Sequence, residues 1–209
     1  MTTAAELHRE HDITAVPAIV VGAVKLGLLE SVLVLLFSLA SRLLAGPLET
    51  IVCAVILLVG IPAVTLLPGL WVRPRTIEGI AGAAGIGLGA AGVFLLIDVI
   101  LLQNIGTYSH RWLDVGGGSN WWYHPVWWMV GTFMPWMGGW MLANQLTRDG
   151  QFNIQNLVLT LLGLTLLVAV AAILIGVPRA GWNLGTFAVA VLPALALGTI
   201  VTALRKRRT

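Results

Sequence analysis

Residues 79–102 read GIAGAAGIGLGAAGVFLLIDVILL, a stretch with one ionisable side chain, Asp98. As a helix it covers about 36 Å at 1.5 Å per residue, more than the ~30 Å hydrocarbon core of a bilayer. Water offers no reason to assemble so long a run without charge. The run also lacks the strict apolar–polar alternation of a membrane β-strand, so a spanning helix is the form in which every backbone N–H and C=O is satisfied within the segment. Gly87, Gly89 and Gly92 reproduce the spacing of a dinucleotide-binding loop. That loop must lie between a strand and a helix, with phosphate at the helix start, and these glycines lie midway along an apolar run. Their better use is close helix packing. Ala81, Gly85 and Gly89 recur every four residues on one helical face, where small side chains admit a neighbouring backbone.

The same character extends over most of the chain. Of 209 residues, 58% are hydrophobic and 10% charged, with a mean hydropathy of +0.92. A soluble domain carries roughly a quarter charged residues, and these few could not cover a soluble surface. The balance excludes a soluble enzyme, a disordered chain and a nucleic-acid module resting on basic clusters. Hydropathy divides the chain into about six spans, near 15–44, 48–72, 77–105, 125–146, 154–177 and 184–204. The expected fold is therefore an all-α, polytopic integral membrane bundle over residues 15–204. Flanking it are a 1–14 segment, whose Thr3 and Glu6 fit the capping box of a short surface helix, and a basic tail over 205–209. That opening segment lacks the basic start and short apolar core of a cleavable signal peptide.

Basic residues set the expected orientation. The net charge of +3 includes the cluster Arg205, Lys206, Arg207 and Arg208, without which it would be −1. With six spans, Arg9, Arg73, Arg75, Arg148 and that cluster share one side, against Arg42, Arg111 and Arg179 on the other. The positive-inside rule then places both termini in the cytoplasm, read here as that of a bacterial inner membrane. It places the connection at 106–124 outside. Cys53 has no second cysteine with which to form an internal disulfide.

Seven of the nine tryptophans fall at positions 112–140, together with Met129, Met134, Met137 and Met141. Indoles at a span boundary form an interfacial belt. Trp136 and Trp140 should lie deeper. With Phe133, Met137 and Met141 they follow three- and four-residue spacing, an expected aromatic and thioether stripe. Such a stripe suits packing against another subunit, or an apolar ligand such as a lipid, a quinone or a pigment. His110 lies in the connection and His124 at its end, just before Pro125, and they are the candidate metal or pigment ligands, although an interfacial structural role explains them more simply.

Away from the span ends, Lys25, Glu30 and Asp98 are the ionisable residues within the spans, the candidates for an ion or proton site. Five residues separate Lys25 from Glu30, about 140° around a helix, so they do not form a same-face pair. Lys25 can snorkel to the interface. Asp98 interrupts FLLIDVILL, and Gln103 and Asn104 follow it. It can serve a structural polar contact or a proton relay.

No HExxH, GxSxG or Cys–His cluster indicates hydrolysis. The sequence therefore points first to a non-catalytic membrane subunit, packed by the small-residue face and the aromatic stripe against other subunits, a second copy or lipid. A respiratory or photosynthetic assembly would suit such surfaces. A small-solute or ion transporter using Asp98 is the alternative, and an outer-surface enzyme using His110, Asp114 and His124 a third reading.

Overall fold

A computed structural model describes residues 13–108, 123–145 and 153–206. His110, most of the 1–14 segment, Trp112, Trp121, Trp122 and the end of the basic tail lie outside these residues. His124 belongs to a described helix by its backbone alone.

The described chain is all helix, arranged as six helices in a polytopic bundle. α1 (Val16–Leu43) begins with Pro17 in its first turn, where the missing N–H has no intrahelical role. Gly46, at φ +63°, turns the chain into α2 (Gly46–Val72), which again places a proline, Pro47, at its start. α2 carries Pro62 and Pro68 and closes on Arg73, whose left-handed backbone directs its N–H to the Gly69 carbonyl at 2.7 Å. α3 (Ile77–Ile97) starts at Thr76, whose hydroxyl accepts from the Gly79 N–H, and runs on through a π-helical turn, Asp98–Leu102. α4 (Tyr123–Gln145), α5 (Ile154–Leu174) and α6 (Leu184–Lys206) complete the chain.

Five of the six, all but α4, are long and apolar enough to cross a membrane. The sequence expectation counted α4 among the spans. It has the length, at 23 residues, but its tryptophans and glycines dilute its hydropathy. In the fold it occupies the middle of the bundle, lengthwise against α2, α3 and α6. Glycines make that position possible. A Cβ at Gly138 would run into the backbone carbonyl of Thr65 on α2, and one at Gly87 on α3 would meet the Gly131 carbonyl and Pro135 of α4. The tightest small-residue contact of α3 is thus with α4. Of the expected face, a Cβ at Gly89 would run into Ala23 of α1 and one at Gly85 would lie 3.7 Å from Ile19, while Ala81 is exposed. The small residues of α3 serve two neighbours inside one chain.

α1 and α3 run in the same direction, with Gly22 against Ile86, Gly27 against Ala90 and Val93, and Ser38 against Thr107. α4 and α6 form a second parallel pair, with Met141 against Gly198 and Asn144 bonded to Thr202. The main core lies along the second pair, where Met134, Met137, Met141 and Leu142 pack with Leu66, Leu157, Leu161, Val191 and Leu195. Outward faces remain aliphatic, as Val20, Val24, Leu28, Val32 and Leu36 of α1 illustrate. An apolar exterior around an apolar interior is what a hydrocarbon solvent requires. Residues 13, 72–76, 145 and 206 mark the terminal end of the bundle, and 43–46, 103–108 and 175–183 its distal end.

Candidate functional site

Asp98 is fully buried at the distal end of α3. The local helix makes i→i+5 bonds there: the Gln103 N–H donates to the Asp98 carbonyl at 2.9 Å and the Thr107 N–H to the Leu102 carbonyl at 3.0 Å. A π turn inserts one residue into the α-helical register, and such turns recur at functional sites. Here it leaves Val99, Ile100 and Leu101 exposed while Asp98 and Leu102 stay inside. Both carboxylate oxygens accept hydrogen bonds, one from the Gln103 amide at 2.6 Å and the other from the Tyr108 hydroxyl. Tyr108 arrives because the chain doubles back beyond the π turn. Ser38 of α1 holds that return by donating to the Thr107 carbonyl. The Thr107 hydroxyl, also buried, has no hydrogen-bond partner among the described residues. Val34, Phe94, Leu95 and Leu102 pack as an apolar cluster against Tyr108 and Trp127, with the Phe94 ring 4.7 Å from that of Trp127.

Glu30 lies halfway along α1 and is 6% exposed. It shares the buried stripe of Leu26, Gly27, Ser31 and Val34, the stripe that faces α3. Its neighbour Ser31 spends its hydroxyl on the Gly27 carbonyl at 2.8 Å. No described residue hydrogen-bonds the Glu30 carboxyl. One helical turn further, Val34 packs with Phe94, Leu95 and Leu102, the residues that bracket Asp98 in sequence. By the same pairing Asp98 lies about 6 Å beyond Glu30 in depth, four residues at 1.5 Å each, on the side of α3 that carries Gly87 and Ala91 toward α4. Lys25 takes the other side of α1 and is exposed, so it is not a counter-ion of either acid.

The aromatic and thioether stripe of α4 divides in two. Met137 and Met141 enter the core, with Phe133 at its edge. Trp136 and Trp140 point outward, 41% and 37% exposed, with ring centroids 6.3 Å apart. Residues one apart on a helix differ by 100° in direction, and a helix packed on three sides buries one of these neighbours and leaves the other to the exterior. Among the described residues, no three His, Cys, Asp or Glu side chains converge to hold a metal ion.

Sequence reasoning singled out Asp98 and Glu30 but not Tyr108, Thr107 or Ser38. Ten residues separate Tyr108 from Asp98, a spacing without meaning on a regular helix. The signal available was Gln103, five residues beyond Asp98, at the π-helical rather than the α-helical spacing. No protein-family model, curated protein or solved structure matches this chain.

Proposed function

We propose that the protein is a small integral membrane transporter that carries a proton along the buried acids of α1 and α3, with Glu30 as the mid-membrane carrier and Asp98, about a turn further in depth, as the acceptor. One observation carries this reading: two carboxyls buried within adjacent apolar helices, about a turn apart in depth. Burying an ionisable group in a bilayer costs several kcal/mol, and such groups mark ion and proton pathways. Neutralisation by a proton removes the cost, and one carboxyl suffices to bind it. A dehydrated metal ion takes several oxygen ligands. Tyr108, Gln103 and the unpaired Thr107 hydroxyl supply the polar groups that would pass the proton towards the distal end, the extracytoplasmic end if both termini lie inside.

The test is proton flux into liposomes holding the purified full-length chain and an internal pH dye, under an imposed potassium-diffusion potential. Wild-type protein should acidify the lumen, Glu30→Gln should abolish the flux, Asp98→Asn should slow it, and Lys25→Gln should leave it unchanged. A wild-type rate equal to that of empty liposomes, or full flux in Glu30→Gln, would overturn the proposal.

A second reading is a subunit of a larger membrane complex that contacts an apolar cofactor such as a quinone or pigment. The outward Trp136 and Trp140 favour it, since a pair of indoles away from the helix ends offers more than lipid needs. Of the other features that suggested docking, Met134, Met137, Met141, Gly85 and Gly89 are used inside the bundle, while Met129 and Ala81 stay exposed. Mild-detergent purification with mass spectrometry would recover partner chains if this second reading holds.

A further inference from the structure

At the distal end, away from the carboxyl pair, α5 and α6 stand off from α1 and α2 and leave an open crevice of about 740 Å³. Its size falls within the ~300–1,000 Å³ typical of ligand sites. Phe37, Val168, Ala172 and Val189 give it walls of aliphatic and aromatic surface. Its rim is formed by the α5–α6 connection, where Arg179 and Trp182 are exposed, Trp182 at 79%. Among the described residues no acidic side chain lines the crevice, and Arg179 is its one cation. On the same rim the Asn183 side-chain oxygen accepts from the Thr186 N–H at 2.8 Å and from the Thr186 hydroxyl at 3.1 Å. The Gly181 N–H donates to the same hydroxyl at 3.0 Å. The Arg179 guanidinium has no hydrogen bond or ion pair among the described residues.

We infer that this crevice binds an anionic phospholipid, its phosphate on Arg179 and an acyl chain between the α5/α6 pair and α1. Three features choose this occupant. The connection follows a 21-residue spanning helix, so the cation stands at headgroup depth above apolar walls. The exposed Trp182 beside it marks the same interface. The site also pairs one uncompensated positive charge with surface suited to a hydrocarbon chain, which a free phosphate would not use. The inference goes beyond the transport reading and does not depend on it.

Native mass spectrometry of the full-length chain, released from vesicles of equal phosphatidylglycerol and phosphatidylcholine, tests it. Wild-type protein should retain phosphatidylglycerol preferentially. Arg179→Gln should reduce that preference about fivefold, the effect of one basic residue near an anionic surface. Arg205→Gln, at the terminal end, should not change it. Val189→Trp should displace both lipids; Val189 is 62% exposed, so the larger ring fills the crevice without crowding the core. Should that variant misfold, Ala172→Phe blocks the crevice from the α5 side. Equal losses in Arg179→Gln and Arg205→Gln would indicate a diffuse charge effect and overturn the site. So would lipid retention in a folded crevice-filling variant, or displacement of the lipid by inorganic phosphate alone.

Discussion

The two parallel helix pairs of this bundle, α1/α3 and α4/α6, solve the same packing problem with opposite interiors. Both use glycine at the contact, Gly27 against the Ala90 backbone in the first and Gly198 against the Met141 side chain in the second. The α4/α6 pair then fills its interior with methionine and leucine. It confines polar contacts to the terminal end, where Asn144 meets Thr202 and Lys206 reaches the Ala143 carbonyl. The α1/α3 pair keeps Glu30 at its middle and Asp98, Ser38 and Thr107 in its distal half. Lipid tails are as apolar as leucine, so a membrane bundle gains no hydrophobic energy by turning leucines inward. The contrast teaches that the apolar pair supplies shape, while the polar pair accepts a cost for which shape gives no reason.

Substitutions can break this comparison on either side. The largest effect belongs to Gly138→Leu. Its side chain would meet the Thr65 backbone, which cannot step aside as a flexible side chain would, and a loss of about 3 kcal/mol or failure to assemble is expected. Gly163→Leu is the matched control, since nothing lies within 4 Å of a Cβ at that position. Thermal unfolding in mild detergent should separate the two, and equal midpoints would show that the α2/α4 approach is not tight. Next comes Met141→Ala, which opens a cavity in a fully buried part of the core and should cost about 2–3 kcal/mol. If the apolar pair supplies shape alone, proton flux per folded molecule should survive this change, and a selective loss of flux would erase the distinction. Smallest in stability is Tyr108→Phe, which removes one donor to Asp98 and should cost about 0.6 kcal/mol, the average for a hydrogen bond between membrane side chains. Its flux should fall further than its stability, and a proportionate fall in both would reduce Tyr108 to a fastener.

Five of the spans were legible because hydropathy over some twenty residues depends on composition alone. The inner face of each helix was not. α1 is apolar nearly all round, so its sequence does not say whether Glu30 turns inward or to the exterior, and that is decided by which side of α1 receives α3. The packing use of glycine in α3 was legible from its density, yet Gly87 makes the closest approach and not the four-residue series of Ala81, Gly85 and Gly89. Asp98 stood out as the one acid in its run. Its partner Tyr108 did not, because their meeting depends on a π turn and on Ser38 holding the Thr107 carbonyl, two events with no periodic trace. Arg179 reads in sequence as a topology marker, and only the stand-off between α5 and α1 gives it a crevice.

The low hydropathy of α4 has a consequence for how the molecule is made. Membrane helices enter the bilayer in order of synthesis, and a segment rich in glycine and tryptophan partitions weakly on its own. α1, α2 and α3 precede it and are strongly apolar, and α2 and α3 present the surfaces that Gly131, Gly138 and Gly139 fit. The glycines that weaken insertion are thus the ones that reward docking. Biogenesis of the carboxyl-terminal half then rests on the amino-terminal half: α4 enters as a guest of helices already in place, and α5 and α6 follow onto the wall it completes.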